Sequence, residues 1–196
     1  MKPDEARRRA DLVSVGASLE RQGLLRGREG NLSCRLDDGA ALVTPRGVPK
    51  GRMACSSLVR VALDGPLPPE ASSEVAMHLE VYGRVPDVGA IVHAHPPAVL
   101  ALSLTWPADP APDVSLLAEG EALLAVVGVI PPFSPGSMEL AVAAAATLAG
   151  TPAAVMLHHG AVAAARTPQQ ALERMELLEL LARVELIRRG RSVATP

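Results

Sequence analysis

An apolar run that ends in two histidines is the feature of this chain that most constrains its fold. The segment Val88–His95 is typical of a buried strand, and Pro96 stops it directly after the second histidine. Side chains alternate across a strand, so residues two positions apart share one face. His93 and His95 are therefore predicted to present their imidazoles to the same space. Two imidazoles on one wall make half of a metal site, and the other ligands must come from elsewhere in the chain.

Composition is that of an ordinary globular protein. The chain has 196 residues, of which 48% are hydrophobic and 20% charged, with a net charge of −2, and we expect one domain over residues 1–196. One Trp, one Tyr and one Phe, without a long basic block, argue against nucleic-acid binding. No apolar stretch approaches the roughly 18 residues that span a membrane. Since Met1–Glu5 also lacks the apolar core of a secretory signal, we expect a cytoplasmic protein without a membrane partner.

Extended and helical patterns alternate along the chain after an initial hairpin. The strand-like segments are residues 31–36, 40–44, 58–63, 88–95 and 153–157, and the helical segments are residues 4–25, 72–82, 98–104, 136–148 and 167–189. The last helix has an N-cap at Thr167 and a proline at its first position, and the proline-rich stretch Trp106–Asp113 is typical of a surface loop. This order predicts a three-layer α/β/α domain around a mixed, largely antiparallel sheet.

A third histidine and a carboxylate are candidates to complete the metal site. His159 directly follows a strand-like segment, as His95 does. Three imidazoles that converge from strand ends suit a divalent transition metal, above all zinc. Glu74, predicted in the first turn of a helix, is the candidate for the fourth ligand position. The same helix start offers free backbone N–H groups and the hydroxyls of Ser72 and Ser73, which together favour a phosphate pocket.

Five short motifs occur in a specific order along the chain, although each is weak alone. They are Gly30-Asn31-Leu32-Ser33-Cys34-Arg35, Thr44-Pro45-Arg46-Gly47, Ser72-Ser73-Glu74 with His78, His93-Ala94-His95-Pro96, and His159-Gly160. In this order they strongly resemble the class II aldolase/adducin family. The resemblance covers nearly the whole chain and implies the fold of that family, which assembles as a homotetramer with active sites between neighbouring subunits.

The resemblance also implies a reaction and a set of roles. The metal ligands would be His93, His95, His159 and Glu74, with zinc or another divalent transition metal bound. Glu74 would ligate the resting metal and then act as base, while the metal stabilises an enediolate. The expected function is a zinc-dependent lyase that cleaves or forms a C–C bond in a small sugar phosphate. The phosphate would contact Asn31, Gly47, Ser72 and Ser73.

The chain departs from the aldolases of the family at two positions. Those enzymes carry Thr or Ser where this chain has Arg46, and an arginine binds either a phosphate or a planar carboxylate. They also use a tyrosine as acid where this chain has Val114, and the only tyrosine here, Tyr82, belongs to an earlier helix. The candidates to replace that acid are Asp113, Glu119 and Glu121. The longer C-terminal tail of those aldolases is expected to be absent, because the chain ends at Pro196.

Two alternative functions stay open. The first keeps the metal and changes the reaction, because decarboxylases, epimerases and dehydratases share this scaffold and Arg46 admits a carboxylated substrate. The second is a non-catalytic binding domain like that of adducin, against which the complete set of candidate metal ligands argues. Two further histidines lie outside the predicted set of metal ligands. His78 either supports the site from behind or is simply packed, and His158 should face away, into the core or an interface.

Overall fold

The computed structural model describes residues 3–105 and 109–190. Its helices are α1 (Pro3–Arg21), α2 (Val75–Arg84), α3 (Pro97–Ser103), α4 (Ala118–Leu123), α5 (Met138–Leu148) and α6 (Pro168–Arg188). Its strands are β1 (Asn31–Arg35), β2 (Ala40–Val43), β3 (Val59–Ala62), β4 (Ala90–Ala94), β5 (Val127–Ile130), β6 (Ala153–Met156) and β7 (Gly160–Ala165). Part of the predicted 106–113 loop and the C-terminal end lie outside the described residues. The single domain over residues 1–196 stays a prediction.

The seven strands form one mixed sheet in the order β3-β2-β1-β4-β7-β6-β5. Only the edge strand β5 runs parallel to its neighbour, and the other pairs are antiparallel. Helices cover both faces of the sheet: α1, α3 and α6 contribute to one apolar core and α2 and α5 to the other. The predicted three-layer fold with a largely antiparallel sheet is therefore confirmed.

Strand alternation puts the polar residues of the central strands on one face of the sheet. In β4, Val92 belongs to the core beneath α6, whereas Ile91 belongs to the core beneath α2. His93 shares the face of Ile91, because residues two apart point the same way. In the neighbouring strand, Asn31 pairs with His93 across the β1–β4 ladder. The site residues of both strands therefore face α2.

Three elements were not predicted from the sequence. These are α4, β5 and β7. Strand β7 has the sequence GAVAAA, which is fully buried, and a run of alanines carries neither the β-branched bias nor the alternation of a half-buried strand. Short buried strands of this kind are recognisable only by their neighbours in the sheet.

The end of α1 and the start of α2 differ from the boundaries predicted from the sequence. The first helix ends at Arg21 rather than near Leu25, and Gly23 follows it with a φ of 71° in the left-handed region. Helix α2 begins at Val75, so Glu74 occupies the N-cap position instead of the first turn, with φ −103° and ψ 17°. From this non-helical position the carboxylate reaches back towards the sheet, where it contacts Asn31. Within the described residues, no helix is long and apolar enough to cross a membrane.

Candidate metal and substrate site

Three histidines meet at one end of the central strands. His93 is in β4, His95 directly follows it, and His159 lies in the turn between β6 and β7. One ring nitrogen from each histidine lies within 4.8 Å of the others, and in the described part of the chain this is the one cluster of three or more His, Cys, Asp or Glu ligand atoms. The ring centroids are 4.9 to 5.3 Å apart. The hairpin that closes β6 onto β7 thus brings the third imidazole to the pair that the strand period predicts.

The surroundings of the histidines orient the rings and favour the neutral form of two of them. The Nδ1 of His93 lies 2.9 Å from the carbonyl oxygen of Ala161, so this nitrogen donates and the Nε2 is the atom turned towards the cluster. That Nε2 faces the Nε2 of His95 at 3.3 Å. Burial, followed by the charge of His93, lowers the pKa of His95 to about 4, and burial also lowers the pKa of His159. Metal binding by His95 and His159 therefore needs no proton to be removed near neutral pH.

Glu74 reaches the cluster with one oxygen engaged and one free. Its Oε2 lies 3.3 Å from Nε2 of His93, and its Oε1 lies 3.5 Å from Nε2 of His159. Burial raises the pKa of this carboxyl, but the hydrogen bond and charge of His93, the charge of His159 and the hydrogen bond from Asn31 lower it below its ordinary range. Glu74 is only 6% exposed, and its Oε1 accepts no hydrogen bond from the described residues.

This arrangement fits a divalent cation. A buried carboxylate oxygen without a hydrogen bond is costly, and a cation between the carboxylate and the imidazoles removes that cost. Three imidazole nitrogens and one carboxylate oxygen form a donor set that suits zinc and related transition metals. The chemistry of the donors therefore agrees with the ligand set predicted from the sequence.

Behind Glu74, a buried polar network links α2 to β1. Asn31 donates from Nδ2 to Oε2 of Glu74 at 2.7 Å, and its Oδ1 lies 2.5 Å from Nε2 of His78. The hydroxyl of Ser33 lies 2.6 Å from Nδ1 of His78 and 2.7 Å from the hydroxyl of Tyr82. His78 is thus both fully buried and hydrogen-bonded to Asn31, which in turn contacts Glu74.

A small cavity of about 110 Å³ opens beside the cluster. It is lined by all of the residues predicted to contact the substrate, namely Asn31, Arg46, Gly47, Ser72 and Ser73. Glu74, His95 and His159 line the same cavity, so the candidate metal ligands and the candidate anion contacts share one space. The hydroxyl oxygen of Ser72 accepts from the backbone N–H of Glu74 at 3.3 Å, which leaves its own hydrogen to donate into the cavity.

The sequence profile described as "Class II Aldolase and Adducin N-terminal domain" matches residues 10–186. This chain belongs to the class II aldolase/adducin family. The 3-oxo-tetronate 4-phosphate decarboxylase of Pectobacterium atrosepticum is 32% identical over 192 residues, which cover 96% of this chain and 88% of that relative. The methylthioribulose-1-phosphate dehydratase of Acidiphilium cryptum is 35% identical over an alignment of 199 positions, which covers 94% of this chain and 92% of that relative.

A solved structure of the same family shows the same architecture. The L-fuculose-1-phosphate aldolase from Thermus thermophilus is similar to this chain with a TM-score of 0.86 and 34% identity, covering 96% of this chain and 99% of that one. The three similar proteins are named for a decarboxylation, a dehydration and an aldol reaction. Membership in the aldolase/adducin family therefore does not specify which of these reactions this chain catalyses.

Two basic residues of the cavity were missed by the sequence reasoning. Arg28 and Lys50 both line it, and Lys50 is only 3% exposed. The Nζ of Lys50 donates to the carbonyl oxygen of Arg28 at 2.9 Å, and burial lowers the pKa of Lys50 while the charge of Glu74 raises it. In the sequence, Lys50 resembles an ordinary loop charge. The one available signal is its position, three residues after Gly47 in a loop already assigned to the site.

None of the candidate acids lines the cavity. Tyr82 is buried at 1% exposure beneath the site, with its hydroxyl bonded to Ser33. The predicted substitutes are exposed and lie outside the cavity lining, namely Asp113, Glu119 and Glu121. Within the described residues of one chain, this aldolase/adducin family member thus has no tyrosine at the site. His158, predicted to pack in the core or an interface, is exposed in this chain, with a φ of 60°, so core packing is wrong.

Proposed function

We propose that this chain is a metal-dependent lyase of the class II aldolase type, with zinc as its metal. Its substrate is a small phosphorylated carbonyl compound in which it cleaves or forms a C–C bond. The observation that carries this proposal is the Oε1 of Glu74, which has no hydrogen bond from the described residues and is buried beside three clustered histidines at a cavity lined by anion-binding groups. A base, a cation site and an anion pocket within one small space are what proton transfer next to a phosphorylated carbonyl requires.

The chain's own residues divide this work. His93, His95, His159 and Glu74 hold the metal, which when bound supplies Lewis-acid polarisation of a carbonyl. Glu74, a carboxylate at neutral pH, takes the proton from the carbon next to that carbonyl through Oε1. The phosphate lies against Asn31, Arg46, Gly47, Ser72 and Ser73, and Lys50 and Arg28 add positive charge.

A second candidate reaction, decarboxylation, is favoured by two observations. The cavity is lined by three basic side chains, those of Arg28, Arg46 and Lys50, which is more positive charge than one phosphate needs. The described cavity also lacks the tyrosine acid that the aldolases of the family use. A phosphorylated 3-oxo acid would use the additional charge for its carboxylate. Epimerisation and dehydration remain same-scaffold alternatives without an observation of their own.

A non-catalytic, adducin-like binding domain is disfavoured. Such a domain has no need of a buried carboxylate whose Oε1 lacks a hydrogen bond, because each buried polar group without a partner destabilises the fold by about 1–3 kcal/mol. The homotetramer and the cytoplasmic location stay predictions. Light scattering of the intact chain, with a chain mass of 20.3 kDa, would measure the first.

The deciding experiment follows proton exchange on dihydroxyacetone phosphate in D₂O by ¹H NMR, using zinc-loaded protein. We expect the wild type to exchange the proton and Glu74→Gln to lose about 10²- to 10⁴-fold in rate, because a carboxamide cannot accept the proton. The matched control is Glu70→Gln, an exposed carboxylate four residues earlier, which should keep the wild-type rate. Metal analysis of each sample should find about one zinc per chain.

The outcomes separate the candidate functions. Exchange that depends on Glu74 supports the aldolase, whereas CO₂ release from a phosphorylated 3-oxo acid without exchange supports the decarboxylase. A wild type that carries zinc and does neither contradicts both. A chain that retains no divalent metal after gentle purification and takes up no added zinc would leave the binding domain as the better description.

A further inference from the structure

A series of buried hydrogen bonds runs from Tyr82 on α2 through β1 to the carboxylate of Glu74. It connects Tyr82 to Ser33, Ser33 to His78, His78 to Asn31 and Asn31 to Glu74, with distances of 2.5 to 2.7 Å. All five residues are 6% exposed or less. The positions of these residues along α2 and β1 explain the hydrogen bonds. Residues 78 and 82 share one face of α2, with Glu74 one turn before His78 at the N-cap, and residues 31 and 33 share one strand face.

The donor and acceptor in each of these hydrogen bonds follow from the chemistry of the groups. The carboxylate of Glu74 only accepts, so Asn31 must offer its NH₂ group there and turn its Oδ1 towards His78. An amide oxygen also only accepts, so Nε2 of His78 carries the hydrogen. Burial, followed by the charge of His93, lowers the pKa of His78 to about 3, so the ring is neutral and its Nδ1 accepts from Ser33. Ser33 in turn accepts from the hydroxyl of Tyr82.

We propose that His78 is a positioning residue which, held as the neutral Nε2–H tautomer by Ser33 and Tyr82, fixes the amide of Asn31 and so gives the two oxygens of Glu74 different tasks. Oε2 is held by Asn31, while Oε1 is left free to take the proton. This inference rests on the proposed role of Glu74 as base. Reversal of the Asn31 amide would put its oxygen against the carboxylate, and the two acceptors would repel each other.

Packing alone does not account for this arrangement. A histidine that merely fills space requires no specific proton on either ring nitrogen, whereas here Nε2 faces an amide oxygen that only accepts, and Nδ1 faces a hydroxyl that can donate to it. The tautomer of His78 therefore distinguishes the two explanations without any measurement of activity.

The first test reads the tautomer directly. Long-range ¹H–¹⁵N NMR of zinc-loaded protein with ¹⁵N-labelled histidine contains signals from five rings, and the ring absent in His78→Gln is that of His78. We expect a neutral ring with the proton on Nε2, unchanged between pH 5 and pH 8. A proton on Nδ1, or a charged ring in this range, would overturn the proposal. The tautomer is measured on the wild type, and only the assignment of the signal uses a variant, the conservative His78→Gln.

The second test separates positioning from stability. His78→Leu should lower kcat for proton exchange by about 10- to 100-fold with little change in KM, a loss typical of residues that orient a ligand from behind. His78→Gln, whose side-chain NH₂ can still donate to Asn31, should recover most of that loss. The matched control is Met77→Ala on the same helix, which removes a side chain of 1% exposure and should lower Tm while keeping kcat. Equal losses of kcat in His78→Leu and Met77→Ala, or none in His78→Leu, would contradict a positioning role.

Failure of this inference and failure of the proposed function look different. If the wild type exchanges no proton, the role of Glu74 as base fails, whatever the tautomer of His78. If the wild type exchanges protons but His78 carries its proton on Nδ1, the positioning role of His78 is wrong and the proposed function stands.

Discussion

Lys50 and Glu74 are opposite charges that line one small cavity, each with an incomplete set of partners. The ammonium group of Lys50 has three donors, and among residues 3–105 and 109–190 it uses one, on the carbonyl oxygen of Arg28. In the same part of the chain, Glu74 has one oxygen without a hydrogen bond. Because burying a charge without a partner is costly, both groups indicate partners that arrive from solution. In the proposed function, a bound cation would satisfy Glu74 and an anionic substrate group would satisfy Lys50.

At this scale, Lys50→Met tests the anion contact. The methionine keeps the length and flexibility of the lysine, but it removes a charge-assisted hydrogen bond worth about 1.5–3 kcal/mol. We expect KM for the phosphorylated substrate to rise about 10- to 100-fold, as steady-state kinetics would measure, with the zinc content unchanged. The control is Arg52→Met, since the side chain of Arg52 is 82% exposed and bridges to Glu20 instead. Equal KM values in the two variants would contradict a role for Lys50 in binding.

The β6–β7 hairpin is the element that brings the third histidine to the site. Met156 pairs with Gly160 at its end, and the turn between them carries His159. Gly160 packs so closely that an added Cβ would lie 2.4 Å from the carbonyl oxygen of Ala94 and 2.8 Å from Cδ2 of His95. A side chain at this position would therefore push apart the two segments that hold the histidines.

Gly160→Ala should accordingly weaken both the fold and the metal site. Overpacking of this kind costs about 1–3 kcal/mol in the free energy of unfolding, measurable by urea denaturation of the metal-free protein. Zinc affinity, measured by competition with a chelator, should fall as well because His95 is displaced. Gly83→Ala is the control, since a Cβ there meets nothing within 4 Å in helix α2 and should stabilise by up to about 1 kcal/mol. A Gly160→Ala protein with unchanged zinc affinity would contradict the close-packing argument.

Across the whole molecule, the sheet separates two cores and the site lies within the α2 layer. His78 is fully buried there, and its pKa of about 3 lies below the ordinary value of 6.5. Between these values, the unfolded chain binds a proton at this position and the folded chain does not. The free energy of unfolding therefore falls as pH decreases below 6.5, by up to about 1.4 kcal/mol per pH unit from this one residue.

Urea denaturation of metal-free protein at pH 7 and pH 5 measures this effect. We expect the wild type to be less stable at pH 5, and His78→Gln to show a smaller difference between the two values because glutamine does not titrate. His95 and His159 contribute in both proteins, so the comparison isolates His78. Equal pH dependence in wild type and variant would mean that His78 is not a buried neutral ring.

Local sequence patterns were enough to predict most residues of the candidate site. The strand period placed His93 beside His95, and the order of five motifs identified the family and the residues that now line one cavity. These features depend on neighbours in sequence, where side-chain direction follows from backbone geometry alone. Strand β7, helix α4 and the exact start of α2 did not follow, because an alanine run and a helix boundary carry weak local signals.

The amino-acid sequence by itself determined the layered fold, the pairing of two histidines and the set of residues that could bind metal and phosphate. Only the tertiary structure decided that Lys50 is buried in the cavity, that Tyr82 lies beneath the site, and that His78 reaches Glu74 through Asn31. The physical reason is that burial and hydrogen-bond partners are properties of segments distant along the chain. They exist only once the sheet and α2 have packed together.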